Sequence, residues 1–158
     1  YRYFESKQQL ITALGENLIS LDAASLPARF SSEQRLEALL NQLRRQVLTL
    51  PGLLPQFNSA LPAEAMVRTI ADLAQPIIDM NIERGEAIRH AQSLLWMTLG
   101  FALFETSSSA DNIAGLFLDL PAELQATSKH LVLNNHEQLW REVMARNIRG
   151  IAALNAGI

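Results

Sequence analysis

Apolar residues recur along the chain at three- and four-residue intervals, the period of an α-helix, and no stretch keeps the strict alternation of a strand. Leu10, Ile11, Leu14, Leu18 and Ile19 place one apolar face on a first helix, which Ser6 and Gln9 open as a capping box and whose reach Pro27 limits. A second box, Ser31 with Gln34, opens a helix with the stripe Leu36, Leu39, Leu40, Leu43, Val47 and Leu50. Glu33, Glu37, Arg44 and Arg45 are assigned to its solvent side, and Pro51-Gly52 ends it. Three prolines and one glycine from Pro51 to Pro62 predict a loop with one short turn around 53–58.

Pro62 suits the first position of a helix carrying Met66, Val67, Ile70, Leu73, Ala74, Ile77 and Ile78. Pro76 removes a ladder bond inside it and predicts a kink or a break into two helices, while Gly85 after Arg84 is the expected left-handed stop. From Ala87 to Thr106 almost no polar face remains, the pattern of a helix buried on both sides, and a partner chain is expected to cover one of them. Positions 107–112 read as a polar loop, 113–120 as a short helical piece, and Pro121 as the start of another helix. Asn135 with Gln138 caps the last helix. Leu139, Trp140, Val143, Met144, Asn147, Ile148, Ile151 and Ala152 form a stripe about two residues wide on it, with Glu137/Arg141 and Glu142/Arg146 as flanking pairs. The predicted class is all-α and multi-helical.

Composition narrows the function. With 158 residues, 49% hydrophobic and 18% charged, the chain is a folded domain rather than a disordered segment. Lys+Arg 13 against Asp+Glu 16 gives a net charge of -3, so any DNA contact is local or lies outside this stretch. Zero Cys excludes disulfides, thiolate metal sites and thiol nucleophiles and fits a cytoplasmic location. The longest apolar run, 94–104, is far shorter than the ~20 residues that span a bilayer, so no membrane partner is expected. His136-Glu137 begins like a zinc-protease motif, but Trp140 occupies its fifth position, and no Glu stands three residues before His90, His130 or His136. Ser107, Ser108 and Ser109 lack a nucleophile elbow. No enzyme activity, metal or cofactor is expected.

The run Tyr1-Arg2-Tyr3-Phe4-Glu5-Ser6-Lys7-Gln8-Gln9-Leu10 resembles the signature of TetR-family transcriptional regulators. There an aromatic-rich tetrad ends the recognition helix of a helix-turn-helix, and Ser-Lys-x-x-Leu begins the next helix; Glu5 stands where Pro is frequent. The resemblance implies that 1–10 is the tail of a DNA-binding domain continuing upstream, in a longer protein, and that 11–158 is an effector-binding and dimerisation domain. It also implies a TetR-like C-terminal fold whose last two long helices pair with those of a second copy as a four-helix bundle. Tyr1, Tyr3 and Lys7 would touch the DNA backbone, with Arg2 a weaker candidate. Physical chemistry agrees for Lys7, which puts a cation beside the free N–H groups of a helix start.

For the effector pocket the expected lining is Leu14, Leu18, Leu43, Phe57, Met66, Ile70, Trp96 and Met97, with Phe101 and Phe104 as further aromatics and Arg68, Gln92 or Thr98 as polar anchors. Each of these also suits plain core or solvent. The expected dimer seam is Leu99, Gly100, Leu103, Phe104, Trp140, Val143, Met144, Asn147 and Ile151. Gly100 in a bulky helix costs roughly 1 kcal/mol against Ala, which points to a close crossing. The implied function is a ligand-responsive regulator, most simply a repressor, whose homodimer leaves operator DNA when a small apolar effector binds. A TetR-like carrier of a lipid or other apolar molecule, and a purely structural dimer, are the alternatives.

Overall fold

The computed structural model describes residues 20–49, 63–107, 120–131 and 135–155. The first predicted helix up to Ile19, the turn at 53–58 and the piece at 113–119 lie outside the described residues. Among those described there are five helices: α1 (Ser32–Leu48), α2 (Ala63–Asp79), α3 (Arg84–Ser107), α4 (Ala122–Ser128) and α5 (His136–Asn155), with no strand. Residues 20–30 form turns that lead into α1.

Local chemistry sets most of the boundaries. The Ser31 hydroxyl accepts from the Gln34 N–H at 3.2 Å and the Gln34 carbonyl oxygen accepts from the Ser31 N–H at 2.9 Å, completing the expected capping box. Asn135 Oδ1 likewise accepts from the Gln138 N–H at 3.0 Å at the head of α5. Pro121 stands at the N-cap of α4. Of the kink or break expected at Pro76, the break is absent: α2 is one continuous element, because Leu73, Ala74, Pro76 and Ile77 are all buried and their packing offsets the lost ladder bond. The stop before α3 is Asn81 at φ 66°, which corrects the expected stop at Gly85. Asn tolerates the left-handed region through its short polar side chain. Gly85 instead lies in the first turn of α3, where the Glu83 carboxylate accepts from the Glu86 N–H at 2.9 Å.

One core joins the helices. Leu36, Leu39, Leu40, Leu43 and Val47 of α1 meet Leu73, Ala74 and Ile77 of α2, then Ala87, Ala91, Leu94, Leu95, Leu99 and Ala102 of α3, and Trp140, Met144, Ile148 and Ile151 of α5. α2 packs most extensively on α3, and α1 touches α2, α3 and α5. α5 rests chiefly on α1 and only lightly on α3. Thr69 and Thr98 are buried within this core without cross-helix partners among the described residues. Each hydroxyl donates to the carbonyl four residues back, Ala65 at 2.9 Å and Leu94 at 2.7 Å.

The capping box gives a direct stability test. Ser31→Ala removes one half of it and is expected to cost about 1 kcal/mol, read as a lower urea midpoint with unchanged slope.

Candidate functional site

α3 has a buried side and an exposed apolar side. Ala87, Ala91, Leu94, Leu95, Thr98 and Ala102 form its buried stripe, and the small alanines let α1 and α2 approach closely. On the opposite side Trp96 is 48% exposed, Leu103 43% and Phe104 50%, with Ile88 also exposed. Gly100 lies on this outer side, and a Cβ built there meets nothing within 4 Å. Among the described residues no close helix crossing is made at Gly100. Large apolar groups in water at helical spacing form the kind of patch that marks an interaction surface.

Beside that face α3 and α5 diverge. Between them runs a groove of about 380 Å³, lined by Ser93, Leu94 and Met97 from α3 and by Asn147, Gly150, Ile151 and Leu154 from α5, with His90 and Arg146 at its edges. Its floor is apolar. One weak polar contact crosses it, Asn147 Nδ2 to Met97 Sδ at 3.6 Å.

At the N-terminal end of α5 the contact is of another kind. Arg44 of α1, expected on the solvent side, is only 7% exposed. Its guanidinium grips Glu105 of α3 with both ends of the fork, Nε to Oε2 at 3.1 Å and Nη2 to Oε1 at 2.8 Å. The remaining arm, Nη1, reaches Glu137 Oε2 of α5 at 2.6 Å. The plane lies over two rings, 5.2 Å from the Trp140 centroid and 5.9 Å from that of Phe101. Trp140 also donates from Nε1 to Asn41 Oδ1 at 2.7 Å. Burial disfavours the Arg44 charge, but hydrogen bonds and attraction from the two carboxylates outweigh it and hold the pKa above the ordinary arginine value. The hydrogen bond from Arg44, supported by Arg141, holds the Glu137 carboxyl below its usual range.

The expected site residues separate into groups. Tyr1, Arg2, Tyr3, Lys7, Leu14, Leu18 and Phe57 lie outside the described residues. Of the remaining pocket candidates, Leu43 is fully buried in the core, and Met66, Ile70 and Met97 are partly buried against it. Trp96 faces outward, so these residues are not gathered around one cavity among the described residues. Arg68 pairs with Glu64 on the surface at 2.7 Å, Gln92 is exposed and Thr98 is spent on its own helix. Of the seam candidates, Gly100, Leu103, Phe104 and Asn147 are exposed and Val143 is half-buried. Trp140, Met144 and Ile151 are core residues of the monomer, and Leu99 is almost buried, so their apolar surface is used within the chain. The broad stripe on α5 divides: its inner half fills the core, and its outer half flanks the groove.

Sequence reasoning missed the Arg44 junction. A signal was present in Glu105, the one Asp, Glu, Lys or Arg between Arg89 and Asp111. A lone carboxylate in so apolar a helix calls for a buried cation.

No protein-family model matches the chain, and no curated protein matches it. Among solved structures, Mycobacterium smegmatis BioQ is similar, with TM-score 0.64 and 18% identity over 97% of this chain and 77% of that one. The likeness shows a shared fold, and the expected all-α, multi-helical class is borne out. Among the described residues no helix is long and apolar enough to cross a membrane.

The depressed Glu137 pKa carries a pH dependence. Its contribution is fully present above the unfolded carboxyl value of 4.5 and is lost as pH falls through the lower folded value. Asp72, raised by burial and only partly offset by Arg68, acts in the opposite sense. Comparing wild type with Glu137→Gln therefore isolates the term: the variant loses less stability between pH 5 and about pH 3, measured by urea unfolding at each pH.

Proposed function

We propose that this chain is the effector-binding and dimerisation part of a TetR-like, ligand-responsive transcriptional regulator, most simply a repressor. The observation that carries the reading is the coincidence of a TetR-like fold along nearly the whole chain with the TetR-like run from Tyr1 to Leu10. In this reading 1–10 is the tail of the DNA-binding domain and 11–158 the regulatory domain. Tyr1, Tyr3 and Lys7, with Arg2, contact the phosphate backbone.

The open face of α3 and the outer half of α5 supply the dimer seam. Gly100, Leu103, Phe104, Val143 and Asn147 are its members from the original expectation, and Trp96 joins them from the pocket list. An exposed apolar face beside an open groove supports this assignment, because a second copy is the partner that always accompanies the first and a two-fold axis makes one face self-complementary. The chain's net charge of -3 confines DNA contact to the N-terminal region, and the dimer would hold two recognition helices about 34–36 Å apart. A small apolar effector acts only through its differential affinity for the DNA-competent and DNA-incompetent states.

Selection from random duplexes by the native protein, including whatever precedes Tyr1, tests the DNA reading. A two-fold-symmetric site with half-sites one turn apart is expected, and the absence of any enriched sequence refutes it and moves an apolar carrier to first place. The seam has its own test. Wild type is expected to scatter light as a dimer, and Leu103→Glu to weaken the dimer by roughly 30-fold or more with helicity kept. Trp140→Glu is expected to unfold the monomer, since Trp140 is 1% exposed. A Leu103→Glu dimer as tight as wild type removes α3 from the seam.

A further inference from the structure

We propose that the Arg44 junction is the hinge that sets the direction of α5, and through it the geometry of the assembly face. The statement about α5 stands on the monomer alone, and the statement about assembly rests on the reading above.

The argument starts from how unevenly α5 is held. Its first turn and a half carries directional contacts: Glu137 to Arg44 at 2.6 Å, Trp140 to Asn41 at 2.7 Å, Trp140 tilted against Phe101 at 5.4 Å, and His136 edge-on to Phe104 at 6.0 Å. Arg44 can place Glu137 because it is itself fixed. Two of its donors are taken by Glu105, its plane lies against Trp140 and Phe101, and one arm is left to point at α5. A planar fork with two teeth engaged leaves the third direction no freedom. α1, α3 and α5 therefore meet at one guanidinium.

Beyond Trp140 the restraint changes. Met144, Ile148 and Ile151 contact the core through apolar surfaces, which tolerate small rotations because such contacts have no preferred direction. The polar contacts across to other helices there are long, Asn147 to Met97 at 3.6 Å and Asn81 to Asn155 at 3.5 Å. The groove of about 380 Å³ between α3 and α5 gives the helix room to swing. Twenty residues of helix make a lever of about 30 Å, so a tilt of about 10° at the junction moves the far end by about 5 Å. That is as large as a one-turn shift between packed helices. A junction that tilts α5 would re-aim Val143 and Asn147, the residues of α5 in the proposed seam, together with Gly150 and Leu154 of the groove.

The chain has no cysteine, so spin labels can be placed at will. Ala71→Cys on α2 and Ala153→Cys on α5 are both exposed positions. Labelled chain is diluted into excess unlabelled chain, so that only distances within one copy are read by pulsed electron spin resonance. The parent is expected to give one narrow distribution. Arg44→Met, which keeps bulk and loses the fork, and Glu137→Gln, which loses only the charge of the half-exposed arm, are expected to broaden or shift it by several ångströms with far-UV helicity unchanged. Arg44→Lys, keeping charge without the fork, is expected not to restore it, and Arg45→Gln, at the exposed neighbour on α1 that takes no part in the junction, is expected to leave the parent distribution. A parent-like distribution in Glu137→Gln overturns the hinge, and this variant carries the test if Arg44→Met fails to fold. Light scattering on the unlabelled parent separates the two readings: a monomer overturns the assembly face, whereas unchanged distances in a dimer overturn the hinge alone.

Discussion

A guanidinium taken out of water is the constraint around which the described helices are arranged. Removing such an ion from solvent costs several kcal/mol after relaxation, and the cost is offset only by well-placed partners. Each of the three Arg44 guanidinium nitrogens donates to a carboxylate, from two different helices, and two aromatic faces lie against the group. The arrangement is exacting in one direction only. Apolar residues of similar volume would hold α1, α3 and α5 together as tightly, but they would not specify the angle at which the helices meet. Loss of one partner leaves an uncompensated charge inside the junction, so the three groups stand or fall together.

The same junction explains why α3 has two unlike faces. Toward α1 and α2 it presents alanines, leucines and one self-satisfied threonine, and the helices close tightly. Toward the outside it presents Trp96, Leu103 and Phe104, each about half exposed, with His136 of α5 edge-on to Phe104. α5 is clamped at that start and diverges from α3 afterwards, which opens the groove and leaves an apolar strip alongside it. The surface that the fold leaves in water is thus a consequence of where the clamp sits.

Local rules made much of this legible in the sequence. The capping box at Ser31, the cap at Asn135, the start at Pro121 and the long apolar helix expected over 87–106 all follow from chemistry within a few residues. Failures came where a distant contact overrode a local preference. Pro76 is carried through α2 by burial on neighbouring helices, and Asn81 rather than Gly85 turns the chain. Arg44 lies at the edge of its apolar stripe, and its burial depends on carboxylates 61 and 93 positions away. Periodicity shows that a helix has a wet side and a dry side but is silent on a charged residue at the border. It is equally silent on which of two apolar faces meets the chain's own core, and so Trp140 and Met144 read as seam although they fill the monomer.

Which helix is free to move follows from the same inequality of contacts. α3 is held between α1 and α2 along its length, so moving it would break the core of three helices. α5 leans mainly on α1, over an apolar stripe that resists separation but not rotation. Any event that displaces α1 by a small amount moves Arg44, and Arg44 carries Glu137 with it through a contact of 2.6 Å. Apolar packing would absorb such a displacement over many weak contacts, each yielding a little. A charged, directional contact passes it on, because a guanidinium and a carboxylate in a dry junction keep their geometry or lose the interaction. The residue most costly to bury is therefore also the one best placed to transmit a change in α1 to the outer face of α5.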